Sequence, residues 1–251
     1  MKTILITQAR IGSSRLPEKV MLKIGDQTLL DLHLSRAKQA QKVDQVIVAT
    51  TNEDKSDLIC QVAEQQGLPW YKGSLNDVLD RFYQAAKPHK ADWVVRVTSD
   101  CPLLDPRVID RVIETAIEGD FDYCSNILVE DFPDGQDVEV FKMPVLEKAW
   151  NEAKKNFERE HVTPFIRNNC DFNGGTMFKA KDVAAPANYN KVRMTVDEPA
   201  DFEMMTWLIT NCGTDKSWME YTEYMLANPD RLVNADILRN EGYIKSLNKE
   251  V

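Results

Sequence analysis

The sequence predicts a single α/β domain built around a mostly parallel sheet, and three observations predict it. Short apolar, β-rich runs alternate with longer segments of helical period, which is the pattern of βαβ units. At 251 residues with 43% hydrophobic content, the chain can bury one substantial core and is too short for two ordinary domains to be the default. No internal repeat, low-complexity tract or Pro/Gly-rich linker divides it.

Residues 3–7 are the first predicted strand, 29–39 a helix, 45–50 the second strand and 54–66 a helix. A short strand follows at 70–72, a helix at 77–87, and a central strand at 93–98 carrying Val94, Val95 and Val97. Pro106 suits the first turn of a helix running to about residue 118, because its ring holds φ near the helical value. From residue 121 the alternation loosens. Strands are expected at 121–125, 138–141, 175–179 and 192–196, and helices at 144–155, 158–168, 200–211, 218–226 and 235–241. Trp150, Trp207, Trp218, Met204 and Met205 fall where helix-packing residues belong.

The formal net charge of -9 argues against nucleic acid or an acidic membrane as a partner, since both are held by surplus Lys and Arg. The charge is not evenly spread. Residues 1–40 hold seven Lys/Arg (Lys2, Arg10, Arg15, Lys19, Lys23, Arg36, Lys38) against Glu18, Asp26 and Asp31, a segment suited to a small anion. The five cysteines are widely spaced without a C-x-x-C pair, which fits a reducing compartment and offers no metal framework. The apolar N-terminal run stops at Gln8, far too short for a signal peptide or a membrane span, so a soluble cytoplasmic protein is expected.

Residues 8–19, Gln-Ala-Arg-Ile-Gly-Ser-Ser-Arg-Leu-Pro-Glu-Lys, follow the first strand. Gly12 and Ser13 would let backbone N–H groups approach phosphate oxygens, and Arg15 and Lys19 can neutralise polyphosphate charge. An ordinary solvated loop is the alternative, and the glycines of a Walker A or G-x-G-x-x-G loop are missing. Asp100 and Asp197 each sit just past a predicted strand, at the edge where open α/β sheets bind ligands. Two carboxylates there could hold a hard divalent cation, or could cap the helices that follow. Arg96, inside an apolar strand, needs either a structural carboxylate or an anionic ligand.

Residues 8–26, with blocks at 73–83 (Gly73, Ser74, Asp77, Arg81), 96–102, 132–141, 159–164 and 193–199, resemble the cytidylyltransferases that activate acidic sugars. That is the family of CMP-Kdo and CMP-neuraminate synthetases, and the branch named after spore coat polysaccharide biosynthesis protein F is the most similar. The resemblance implies a GT-A-like, Rossmann-like nucleotidyltransferase fold, CTP as donor, Mg²⁺ as cofactor at Asp100 and Asp197, and a homodimer. It also implies a nucleotide-binding half over 1–120 and an acceptor-binding half with C-terminal helices over 121–251.

On that resemblance, Gln8, Ala9, Arg10, Gly12, Ser13, Arg15 and Lys19 hold the triphosphate. Ser74, Asp77 and Arg81 lie near the base, and Thr98 and Ser99 serve ribose or phosphate. Arg15, Lys19, Asp100 and Asp197 carry catalysis. Arg96, Asn126, Asp137, Glu139, Arg159, Glu160, His161 and Arg193 border the acceptor, with Asp134 in the same acidic cluster. His161 alone of three histidines lies in a polar, motif-like setting; a general-base role suits its chemistry, though a hydrogen-bonded structural role is as natural. His33 reads as a helix-face residue and His89 as a loop residue. One departure stands out: Glu18 occupies a position where the resembling loops carry Gly, setting a negative charge and an expected tilt beside the phosphate region.

The implied reaction is cytidylyl transfer from CTP to a sugar acid or polyol phosphate with release of pyrophosphate. A GT-A glycosyltransferase using a nucleotide sugar, and a catalytically silent nucleotide-binding scaffold, are the competing readings. The basic opening loop argues against the first, and intact Asp100 and Asp197 against the second.

Overall fold

Nine strands and ten α-helices are found in the computed structural model, which describes residues 1–248. The first half runs β1 (Thr3–Gln8), the two-residue strands β2 (Lys23–Ile24) and β3 (Gln27–Thr28), α1 (Leu29–Ala37), β4 (Gln45–Thr51), α2 (Asp57–Gln65), β5 (Trp70–Gly73), α3 (Val78–Ala86), β6 (Trp93–Thr98) and α4 (Pro106–Glu118). The second half runs β7 (Tyr123–Ser125), β8 (Glu139–Lys142), α5 (Met143–Glu152), α6 (Asn156–His161), α7 (Pro164–Asn168), β9 (Ala180–Asp182), α8 (Pro199–Cys212), α9 (Trp218–Leu226) and α10 (Glu241–Asn248). The seven-stranded main sheet has the order β5-β4-β1-β6-β8-β7-β9, and β8 alone runs against the rest.

The central strands read as unbroken apolar runs because helices cover both faces of a parallel sheet. On one face Leu5, Val48 and Val95 pack against Leu34, Ile59 and Ile109 of α1, α2 and α4. On the other Ile4, Ile6, Ile47 and Val94 meet Phe82, Leu146 and Ile166 of α3, α5 and α7. Helix starts follow local chemistry: Thr28 and Asp31 form a capping box on α1, Asp77 caps α3, and Asp105 caps α4 ahead of Pro106. Among the described residues no helix is long and apolar enough to cross a membrane.

A third apolar cluster positions the site. Val192, Met194 and Val196 pack with Met204, Met205 and Leu208 of α8 and Tyr221 and Met225 of α9. Residues 192–196 were expected to be a strand and are not. Their backbone groups bond loop partners instead: Asp134 N to Val192 O (3.0 Å), Met194 N to Asp134 O (2.6 Å) and Val196 N to Asp100 O (2.8 Å), with one isolated bridge at Arg193. The segment still delivers Asp197 beside Asp100.

Three other elements depart from expectation. Residues 175–178 form a bend whose bonds close on residues 169–171 (Gly175 N to Cys170 O 2.8 Å, Met177 N to Asn169 O 3.0 Å, Asp171 N to Phe178 O 2.9 Å); Lys179 O accepts from Tyr123 N at 3.2 Å, and the register with β7 starts at Ala180. The helix expected over 158–168 splits into α6 and α7, because Val162 adopts φ 72° and Pro164, lacking an N–H, starts a new helix. Residues 235–240 are turns, ended by Asn240 at φ 59°, and the helix expected there begins only at Glu241. Elsewhere the expected elements differ from the observed ones by up to three residues at an end.

Gly135 holds the turn that carries the 192–196 segment. Its φ is +104°, and a Cβ there would stand 2.6 Å from the Met194 carbonyl carbon. Gly135→Ala should therefore destabilise the fold by about 2–3 kcal/mol, read as a lower urea midpoint; a change under about 0.5 kcal/mol would contradict this packing.

Candidate active site

The parallel strands end on one edge of the sheet, and a cavity of about 720 Å³ opens there. Gln8, Ala9, Arg10, Ser13, Arg15, Lys19, Ser74, Asp77, Arg81, Thr98, Ser99, Asp100, Asp197, Arg159, Glu160 and His161 all line it. Of the expected nucleotide residues only Gly12 does not. Its role is steric: a Cβ there would run into the Glu53 carboxylate, which Thr51 Oγ1 holds at 2.7 Å. The sequence reading missed Asn76 and Asn156 in the lining. Asn156 was legible in principle, since it lies one helical turn before Glu160 on the same face.

Lys19 is the centre of the cavity's electrostatics. Its Nζ stands 2.8 Å from Asp100 Oδ2 and 2.6 Å from Asp197 Oδ1, with 12% of the side chain exposed. Burial works against the ammonium, but the two carboxylates outweigh it and its pKa lies above the ordinary lysine value. For Asp100, burial pushes the carboxyl up, and the Lys19 ammonium overcomes this and holds it well below the usual range. Neither aspartate is a helix cap. Asp105 caps α4, and Asp201 takes the free N–H groups at the start of α8, accepting from Asp197 N and Glu198 N at 3.0 Å each. The carboxylates of Asp100 and Asp197 are thus available to cations. Ser99 ties the end of β6 to β1 by donating to Gln8 O at 2.8 Å.

Arg15 completes the loop's cationic face, lying 3.1 Å from Asp197, 3.5 Å from Glu198 and 3.3 Å from Glu241. Glu18 does not point into the cavity. It adopts φ 55°, the left-handed region that favours glycine, and its carboxylate pairs with Lys55 Nζ at 2.5 Å on the surface. The negative charge is thereby turned away from the basic face.

On the opposite wall, Asp77 caps α3 and receives Arg159 through two nitrogens (Nε 3.0 Å, Nη2 2.7 Å). Arg81 is buried. Its Nη1 donates to Ser74 O at 2.5 Å, and its Nε has no protein partner. Burial, then the charge of Arg10, bring its pKa down to about 10. Two guanidinium groups converging on one cavity favour an anionic or acceptor-rich occupant.

The other expected acceptor residues are not in the cavity wall; each is partnered away from it. Arg96 pairs with buried Glu139, its cross-strand neighbour, and Glu139 also accepts from Tyr123 OH at 2.6 Å. Asn126 clamps the backbone of Gln136 and Val138 (2.7 and 2.8 Å). Asp137 pairs with Arg239 at 2.6 Å. Arg193 binds Asp201 (2.8 Å) and Asp134 (2.5 Å) and braces Asp197 from behind at 3.3 Å. Burial and Asp137 push the Asp134 carboxyl up to about 7. His33, expected on a helix face, is fully buried between Thr7 Oγ1 and Cys101 O (2.9 Å each).

His161 lines the cavity and bonds Ser246 Oγ at 2.8 Å. Burial, then the charges of Arg96 and Arg167, lower its pKa to about 4, so it is neutral at neutral pH and a weak base. The unfolded chain therefore binds more protons than the fold between about pH 6.5 and 4, and stability is lost as pH falls through that window. His161→Gln should flatten this part of the profile by up to about 3 kcal/mol at pH 4, compared with wild type by urea titration at several pH values. Parallel wild-type and variant profiles would refute the shift.

The profile of a family described as cytidylyltransferase matches residues 4–206. An uncharacterized protein of Methanocaldococcus jannaschii is 37% identical over 100% of this chain and 96% of its own. The spore coat polysaccharide biosynthesis protein SpsF of Bacillus subtilis is 29% identical over 90% of this chain and 95% of its own. Among solved structures, a cytidylyltransferase from Leptospira borgpetersenii superposes with a TM-score of 0.87 at 31% identity, covering 95% of this chain and 100% of that one.

Proposed function

This chain belongs to the cytidylyltransferase family, and on that premise we propose that its cavity transfers the cytidylyl group of CTP to an acidic sugar or polyol phosphate, releasing pyrophosphate with the help of Mg²⁺. The observation that carries the proposal is the cation Lys19 seated between Asp100 and Asp197 at the foot of the basic loop.

In this reading Arg10, Arg15 and Lys19 hold the triphosphate, Ser74, Asp77 and Arg81 face the base, and Thr98 and Ser99 support the ribose or phosphate. The acceptor oxygen forms a bond to the α-phosphorus while the α–β phosphoanhydride bond breaks, its electrons leave with pyrophosphate, and a hydroxyl acceptor gives up its proton to solvent water. Such transfers need positioning and positive charge more than covalent help from the protein. Arg159, Glu160 and His161 supply the acceptor side. Arg96, Asn126, Asp137, Glu139 and Arg193 act through packing around it.

Asp100 and Asp197 fit the implied metal, because the Lys19 ammonium between them is itself a stand-in cation. Among the described residues no group of three or more His, Cys, Asp or Glu side chains gathers as a metal cage. That also suits Mg²⁺, which is held by one or two carboxylates together with substrate phosphates. Bound there, Mg²⁺ would neutralise charge on phosphate oxygens. The family resemblance further supports a homodimer, with edge strand β9 and the exposed Phe172 and Met177 near it as available surface.

A thermal-shift panel of CTP, UTP, ATP and GTP with Mg²⁺ tests the donor: CTP should stabilise the protein most, and equal shifts for all four would remove the cytidine assignment. Asp100→Asn should abolish metal-dependent pyrophosphate release from CTP with the fold retained; wild-type turnover in that variant would take Asp100 out of the centre. Arg15→Ala should raise the Michaelis constant for CTP about tenfold and lower turnover, the scale of one charge-assisted contact, whereas an unchanged CTP dependence would sink its phosphate role.

A further inference from the structure

We propose that Glu241 is a positioning residue that couples nucleotide binding to the acceptor side of the cavity, through a C-terminal strap, residues 239–246, that Arg15 anchors in place. The inference rests on the triphosphate role assigned to Arg15 above.

The strap touches both substrate regions. At one end the Arg239 guanidinium donates to Asp137 (2.6 Å) and Phe132 O (2.9 Å), and Asn240, at φ 59°, bonds Glu130 at 2.5 Å. In the middle the Glu241 carboxylate lies 3.3 Å from Arg15 on the nucleotide loop. At the other end Tyr243 stands edge-on to His161 at 5.1 Å with Arg167 over its ring, and Ser246 Oγ lies 2.8 Å from His161 Nε2. The Ser246 hydroxyl donates to Tyr243 O at 2.9 Å, so it accepts from His161 Nε2–H and selects that tautomer. His161, in the acceptor wall, thus owes its hydrogen bonding to the same segment that Arg15 holds.

Of the three carboxylates around Arg15, Asp197 and Glu198 belong to the start of α8, and Glu241 alone belongs to the strap. The Arg15–Glu241 pair is partly exposed and long, hence weak enough to be exchanged. A polyphosphate carries several negative charges and competes directly for the Arg15 guanidinium. When Arg15 turns to it, the strap loses that anchor, and the Tyr243 and Ser246 contacts to His161 shift with it. Nucleotide then acts on the acceptor wall because it binds Arg15 differently in the two strap positions.

Hydrogen exchange on the full chain, with and without CTP and Mg²⁺ and with inorganic tripolyphosphate as a second probe, tests this. Peptides over the strap should exchange about threefold faster with either probe, with a change also in α6. Glu241→Gln should show fast strap exchange with no nucleotide present and no further response. It should also bind CTP about two- to fivefold more tightly by calorimetry, the scale of one partly exposed ion pair; a merely structural loss would not tighten nucleotide binding. Arg15→Ala should make the strap indifferent to CTP. Strap exchange that ignores bound CTP in the wild type, or unchanged CTP affinity in Glu241→Gln, would overturn the coupling and leave the donor assignment standing. Failure of both probes to bind would overturn the two together.

Discussion

The bridge from Lys19 to Asp100 and Asp197 is the interaction on which the rest of the site depends. It joins three segments far apart in sequence: the loop after β1, the end of β6, and the extended run that enters α8. A largely buried ammonium is tolerated only with close countercharges, and two carboxylates side by side are tolerated only with a cation between them. Each group therefore fixes the others. Lys19 also draws the basic loop down over the sheet edge, which sets Arg10 and Arg15 around one cavity.

Behind this bridge the charges are arranged in depth. Arg193 binds Asp134, Asp201 and Asp197 together, Asn234 adds a 2.9 Å bond to Asp201, and Arg239 neutralises Asp137. These buried pairs do little for net stability against an apolar core, but removing one partner leaves a stranded charge, so they hold geometry tightly. Asp197 is consequently braced from behind by Arg193 and engaged in front by Lys19 and Arg15. A carboxylate held in this way is preorganised for a cation.

The first half of the fold was legible because its signals are local. Alternating apolar runs and caps such as Thr28 and Asp105 with Pro106 bound β1, β4, β6 and α4 closely. Residues 175–179 and 192–196 carry the composition of strands but spend most of their backbone bonds on loops at 169–171, Asp100 and Asp134, partners that no local pattern reveals. The site divides likewise. The loop and the two aspartates came together as expected, while Arg96 could have met a ligand or a carboxylate until the β6–β8 register set it opposite Glu139. Glu18 was opaque for the same reason: its left-handed backbone and its partner Lys55, 37 residues away, are set only in three dimensions.

The central claim is that the Lys19 ammonium marks the seat of a divalent cation and moves to the triphosphate when substrate binds. Anomalous diffraction from crystals grown with CTP and Mn²⁺ tests it most directly. The account predicts manganese density bridging Asp100 and Asp197, with Lys19 Nζ withdrawn onto phosphate oxygens. Manganese bound elsewhere, or Lys19 still between the two carboxylates with CTP in the cavity, would contradict it.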